Sequence, residues 1–173
     1  DRSDRGTITV KGHMALVRSP AEGISAGVGL LPEDRKTQGL ILGLSVRENM
    51  ALTSARRLSR FGLIDAQGES DLSRKYVDEL RIKTPGIEQR AGALSGGNQQ
   101  KIVLGKWLAT GVDVLIMDEP TRGIDVAAKV EIYELMNRLT AEGAGILMIS
   151  SELPEILGMS DRILVMRGGR LVS

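Results

Sequence analysis

Val112-Asp113-Val114-Leu115-Ile116-Met117-Asp118-Glu119-Pro120 is the stretch that decides the fold. Its aliphatic run Val114–Met117 is strand-length and bounded by turn signals, the pattern of a strand covered on both faces of a parallel sheet. It ends in two adjacent carboxylates. Open α/β sheets bind ligands at the carboxyl ends of their strands. The side chains of Asp118 and Glu119 leave the strand end in different directions, so one can hold a hydrated Mg²⁺ while the other polarises an attacking water. A charged strand stop at Asp-Glu-Pro accounts for the same residues.

Working outward, Asp125 opens a helix reaching about Thr140, with Ile132, Leu135, Met136 and Leu139 at helical spacing. Gly145–Ile149 is a second buried strand, so strand, helix and strand imply parallel pairing through a right-handed crossover. Ser151 or Glu152 opens a short helix, and Asp161–Met166 with Arg170–Val172 reads as a hairpin. Upstream, Leu94-Ser95-Gly96-Gly97-Asn98-Gln99-Gln100-Lys101 begins a helix running to about Leu108. Exposed N–H groups at Gly96 and Gly97, with the helix dipole, suit an anion. An ordinary capped helix in which Asn98 nearly completes a capping box fits equally well.

The first third predicts a strand at Thr7–Val10, a short helix after Ser19-Pro20, a strand at Val28–Leu31 stopped by Pro32, and a charged loop Glu33-Asp34-Arg35-Lys36, either plainly solvated or, with the helix after Ser45, part of a groove for a partner's helix. Ser45 and Glu48 form a capping box for a helix over Val46–Leu58. Ser59–Gly68 reads as a connection, and Asp71 begins a further helix to about Leu80. This middle third is helical without a strand signal, which points to a helical subdomain inserted into an α/β core.

Composition narrows the classes. Lys plus Arg total 23 against 22 Asp plus Glu, a net charge of +1, so the polyanion footprint of a nucleic-acid binder is missing. Four aromatics, Phe61, Tyr76, Trp107 and Tyr133, leave almost no stacking surface for single strands. No Cys and one His, His13, exclude disulfide scaffolds and multi-histidine metal sites. His13 reads as surface and Trp107 as core. Arg56, Arg57 and Arg60 read as a solvated basic face.

The motifs also have a telling order. Ser95 lies 23 positions before Asp118, and Asp125 follows Glu119 by six within Thr121-Arg122-Gly123-Ile124-Asp125. This order resembles the ATP-binding cassette family: signature sequence, Walker B strand, catalytic carboxylate, D-loop. Pro32–Leu40, Leu94–Lys101 and Ile149–Glu155 are similar to the second nucleotide-binding half of bacterial carbohydrate importer ATPases of the ribose, galactose and xylose type.

That resemblance implies a truncated P-loop NTPase fold of the cassette type, a mostly parallel sheet flanked by helices. It divides the chain into a partial core over 1–39 (a β-subdomain strand and the Q-loop strand), a helical signature subdomain over 40–100 and a core with Walker B, D-loop and switch region over 101–173. It also implies ATP and Mg²⁺ as cofactors. Asp118 would hold the ion through water and Glu119 would position the hydrolytic water. Ser95, Gly96, Gly97 and Gln99 would meet ATP held by the opposite cassette, with Asp125 acting between cassettes. Glu33 stands where most members carry a glutamine, and Ser151 where most carry the switch histidine. Both departures bear on hydrolysis at this half's own site.

The implied partners are a nucleotide-binding half fused upstream, membrane permease subunits and, indirectly, a periplasmic sugar-binding protein. The implied place is the cytoplasmic face of the membrane, with no nucleic acid. A degenerate cassette that does not hydrolyse ATP but docks the permease is the competing reading. Chromosome-maintenance cassettes insert long coiled coils between positions like Glu33 and Ser95, here only 62 apart, and translation-associated cassettes carry a basic face.

The sequence contains no G-x-x-x-x-G-K-[ST] phosphate loop. The chain alone is therefore expected to bind MgATP at roughly millimolar affinity or worse, about −4 kcal/mol. The non-Met start at Asp1 reads as a cut within a longer chain. Without the phosphate-loop strand, Val114–Met117 or Gly145–Ile149 is expected to present an unpaired edge that self-associates or is locally disordered.

Overall fold

The computed structural model describes residues 5–60 and 62–172. The Asp1 terminus, Phe61 and the side chain of Arg60 lie outside that description. Its centre is a parallel three-stranded sheet in the order β3 (Val28–Leu31), β6 (Val114–Asp118), β7 (Gly145–Ile149). The register pairs Leu31 with Met117 and Asp118 with Ile149, so the carboxyl ends of β6 and β7 lie side by side.

Short antiparallel pairs surround the sheet: β1 (Ile8–Val10) with β2 (His13–Ala15), β4 (Ser59–Arg60) with β5 (Leu63–Ile64), and β8 (Met166–Arg167) with β9 (Arg170–Leu171). The helices are α1 (Pro20–Ser25), α2 (Val46–Ala51), α3 (Ala66–Glu79), α4 (Gly96–Thr110), α5 (Val126–Ala141) and α6 (Leu153–Met159). Among the described residues, no helix is long and apolar enough to cross a membrane.

Helix α4 is the axle. Every residue from Gln99 to Lys106 is buried, polar ones included. A helix buried all round must satisfy its polar groups internally. Lys106 Nζ donates to the Gly39 carbonyl at 2.6 Å, and Lys101 Nζ pairs with Glu131 at 2.7 Å. Burial pushes the Lys106 amine down from its ordinary value. Leu31, Leu115 and Met117 from the sheet join Ile102, Val103 and Leu104 of α4 and Ile132, Leu135 and Met136 of α5 in one aliphatic core. Trp107 packs at its margin over Gly29, as expected of a core residue, and His13 is exposed.

Several expectations need correction. Val114–Met117 is paired on both sides, and β3 and β7 are the outer strands of this sheet. Gly145–Ile149 is not a buried strand: Leu147 and Ile149 expose about half their surface, because no described layer covers that face at the sheet's edge. The expected helix to Leu58 ends at Ala51. Beyond it Thr53 Oγ1 is held by the Lys106 carbonyl at 2.9 Å and by Thr110 at 2.6 Å, which pins the chain to the end of α4 instead of letting it wind on. Asp65, not Asp71, caps α3, its carboxylate accepting the Gly68 N–H at 3.0 Å. The connection Ser59–Gly68 contains the β4–β5 pair, so the middle third is not purely helical. The terminal hairpin shrinks to two residues per strand, extended by the Val172 N–H to Val165 carbonyl bond at 2.9 Å. The charged loop after Pro32 is a π turn, Arg35–Gly39, with Arg35 only 8% exposed.

Candidate functional site

Asp118 and Glu119 stand at the carboxyl end of β6, half-buried. Glu119 takes a left-handed backbone conformation, φ +46°, which an L side chain seldom adopts and which costs roughly 1–3 kcal/mol. Two contacts hold it there. Its N–H donates to the Ile149 carbonyl at 2.8 Å, and its Oε1 accepts the Ser151 N–H at 2.9 Å. Strand register thus places the loop after β7 over the end of β6.

That loop is braced from below. The Ser150 hydroxyl donates to the buried Glu155 carboxylate and accepts the Glu152 N–H at 3.0 Å. Lys129 of α5 grips both Glu152 oxygens at 2.6 and 2.7 Å, and this hydrogen bonding raises the lysine's pKa. Tyr133 is pushed up by burial and by the Glu155 charge. The Ser151 backbone, rather than its hydroxyl, makes the described contact to Glu119.

On the other side, Pro120 is fixed by Gln100 of α4, whose Nε2 donates to its carbonyl at 2.7 Å. Asp125 caps α5 through the Ala128 N–H at 3.0 Å. Close approach of α4 and α5 demands glycine at Gly97, where a Cβ would stand 2.6 Å from the Ala128 Cβ. At Gly96 a Cβ would stand 2.5 Å from Arg35 Nη2 and 3.0 Å from the Gly123 carbonyl oxygen. The N-terminus of α4 and the Thr121–Asp125 loop are therefore brought together.

Ser95 is exposed at that terminus. Its hydroxyl does not cap the helix backbone; it accepts from Asn98 Nδ2 at 2.9 Å, while Asn98 Oδ1 accepts the Lys83 N–H at 2.9 Å. Gln99 lies inward, 4% exposed, its amide donating to the carbonyls of Leu94 at 3.0 Å and Ala91 at 3.3 Å. Its described bonds shape the segment before the helix. Glu33, exposed, pairs with the Arg122 guanidinium.

Among the described residues, no group of three His, Cys, Asp or Glu gathers as a metal cluster. Mg²⁺ needs no such cage, since it keeps several waters and takes one or two carboxylates beside phosphate oxygens. The hard oxygen donors of Asp118 and Glu119 fit that chemistry. Arg35, Gln100 and Glu155 escaped the sequence reading, because buried charged and amide side chains carry the same letters as solvated ones.

Comparison with known proteins points to the same family. The sequence model of the ABC transporter family matches residues 1–122. A ribose import ATP-binding protein of Streptomyces avermitilis is 54% identical over 171 residues, covering 99% of this chain and 33% of the relative. One from Rubrobacter xylanophilus is 56% identical over 172 residues, covering 99% and 34%. The chain thus spans about a third of the length of these curated relatives. Among solved structures, a nucleotide-free ATP-binding cassette from an ABC transporter superposes with a TM-score of 0.80 at 22% identity, covering 99% of this chain and 70% of that one. That likeness concerns the fold.

Proposed function

The chain belongs to the ABC transporter family, and on that premise we propose that it works as part of the ATPase of a carbohydrate importer, coupling ATP binding and hydrolysis to sugar uptake. The observation that carries this reading is the Glu119 carboxylate, fixed by the Ser151 N–H at the end of β6. The names of the relatives, ribose import ATP-binding proteins, support the transported class.

In this reading the site is composite. Ser95 and the N–H groups of Gly96 and Gly97 receive the terminal phosphate of an ATP held by the partner half, where the α4 dipole favours negative charge. Asp118 would hold Mg²⁺ through water, and such an ion would supply positive charge against the phosphate oxygens. Glu119 orients the attacking water with the carboxylate oxygen left over from Ser151. Asp125 sits between the halves at the start of α5. Gln99 shapes the signature segment from inside, Glu33 occupies the Q-loop position and Ser151 the switch position. Residues 1–39 and 101–173 form the core and 40–100 the helical subdomain. The partners are the other nucleotide-binding half and membrane permease subunits at the cytoplasmic face, with a periplasmic sugar-binding protein acting indirectly.

Two observations favour the docking reading: Glu33 is paired with Arg122, and Ser151 offers its backbone where a switch side chain would act. The test is Glu119→Gln in a protein of the relatives' full length carrying this chain. Loss of ATP hydrolysis with retained permease assembly supports the ATPase reading, and unchanged hydrolysis refutes it for this site.

A further inference from the structure

Arg35 stands in a run of charges, Glu33-Asp34-Arg35-Lys36, yet it is the buried member of the four. Its guanidinium leaves the π turn and bonds two consecutive carbonyls: Nη1 donates to Arg122 at 2.8 Å and Nη2 to Gly123 at 3.1 Å. The same Nη2 is the atom a Cβ at Gly96 would strike. Three segments distant in sequence therefore meet on one planar group: the turn after β3, the loop after β6 and the N-terminus of α4.

This arrangement is not what stability alone favours. The hydrogen-bond acceptors described for Arg35 are carbonyl oxygens rather than carboxylates, and its Nε is buried without a partner. Burial lowers the guanidinium's pKa, the mark of a cation incompletely repaid for desolvation. An apolar side chain would fill the space without that cost. The rigid fork of arginine addresses the two neighbouring carbonyls with separate N–H groups in fixed geometry. Glu33, two residues earlier, takes the Arg122 side chain, so the loop is held by its backbone on one side and its side chain on the other.

We propose that Arg35 is a positioning residue, whose guanidinium fixes the Arg122–Gly123 backbone against Gly96 and so sets the N–H groups of α4 relative to Asp125. The inference deepens the composite site above and rests on that reading for the identity of the phosphate. The geometric part is independent of it.

The experiment uses a protein of the relatives' full length carrying this chain, assembled with its permease, in wild-type, Arg35→Lys, Arg35→Met and Glu119→Gln forms. Lysine keeps the charge but lacks the planar fork that fixes both carbonyls in one geometry, so Arg35→Lys does not rescue. Both Arg35 variants lose kcat for ATP by on the order of 10²-fold, the scale of a misplaced reacting geometry. KM for ATP stays within about threefold, and the melting temperature shifts by less than about 4 °C. Amide hydrogen exchange speeds up together in 96–98 and 122–125 while α5 keeps its protection.

Wild-type kcat and exchange in Arg35→Lys would overturn the proposal, because charge and volume would then suffice. Exchange rising equally across α5 and β6 would also overturn it, reducing Arg35 to a core filler. If Glu119→Gln hydrolyses ATP as wild type does, the ATPase reading fails at this site, and the exchange data still judge the fork.

Discussion

The Glu119 carboxylate accepts the backbone N–H of Ser151 at 2.9 Å, across the paired ends of β6 and β7. The contact depends on the peptide and not on the serine hydroxyl. Ser151→Pro removes the donor, whereas Ser151→Ala keeps it. Hydrolysis in the full-length protein falls about tenfold further in Ser151→Pro than in Ser151→Ala, the factor for about 1.4 kcal/mol. Steady-state phosphate release measures this difference, and equal rates would dissociate the N–H from the chemistry.

Gly97 and Ala128 touch where α4 crosses the start of α5. Gly97→Ala overpacks that crossing and destabilises by about 1–3 kcal/mol. Ala128→Gly opens the space at roughly 1 kcal/mol in helix propensity. Urea titration of the double variant recovers most of the Gly97→Ala loss, giving a favourable coupling energy. Additive losses would show that the crossing relaxes without help.

Asn49 is fully buried at the start of α2 and completes a loop by itself. Its Oδ1 accepts the Ile41 N–H at 2.8 Å, and its Nδ2 donates to the carbonyls of Ser45 at 2.9 Å and Ile41 at 3.0 Å. Asn49→Ala removes the acceptor of the Ile41 N–H, while the carbonyls of Ile41 and Ser45 keep the N–H groups of Leu44 and Asn49. It is expected to cost about 1 kcal/mol in urea unfolding, the scale of one lost hydrogen bond.

Hydrogen bonding from the Ser45 backbone, then from its hydroxyl, holds the Glu48 carboxyl below the ordinary range. A depressed folded value means the unfolded chain binds more protons, so stability rises with pH through this window. The capping contribution is present above the unfolded value of about 4.3 and is lost as pH falls through the folded one. Urea midpoints of Glu48→Gln are expected to lie below wild type at neutral pH and to converge with it under acid.

Strand β7 offers an unpaired edge, and Leu30, Leu147 and Ile149 expose about half their surface on the same side of the sheet. Such an edge and face pair readily with another chain. Light scattering of this chain alone is expected to give a mass above its 18.6 kDa, and Leu147→Glu with Ile149→Lys to restore the monomer. A monomeric wild type with fully protected β7 amides would contradict this.

What was legible in the sequence was what periodicity and turn chemistry encode. Val114–Met117 announces a strand, Ser45 with Glu48 announces a cap, and the carboxylates at 118 and 119 fall where the strand ends; cover on both faces does not hold, since Leu30 and Leu147 flank Ile116 half exposed. Strand order was not legible, because nothing local says that β6 rather than β7 lies in the middle. The start of α3 was missed because Ala66-Gln67-Gly68-Glu69 carries little apolar signal, so its Asp65 cap was invisible. Arg35 was hidden in a charge run: its burial follows from the carbonyls of Arg122 and Gly123, 87 and 88 residues away.

In the proposed function, the exposed Ser95 end of α4 completes an ATP site whose hydrolysis drives transport. The most direct test is ATP hydrolysis by the permease-assembled full-length protein carrying Ser95→Arg, whose bulk blocks the phosphate position without touching the core. Hydrolysis is expected to be lost while assembly with the permease persists. Unchanged hydrolysis with weakened assembly would contradict it.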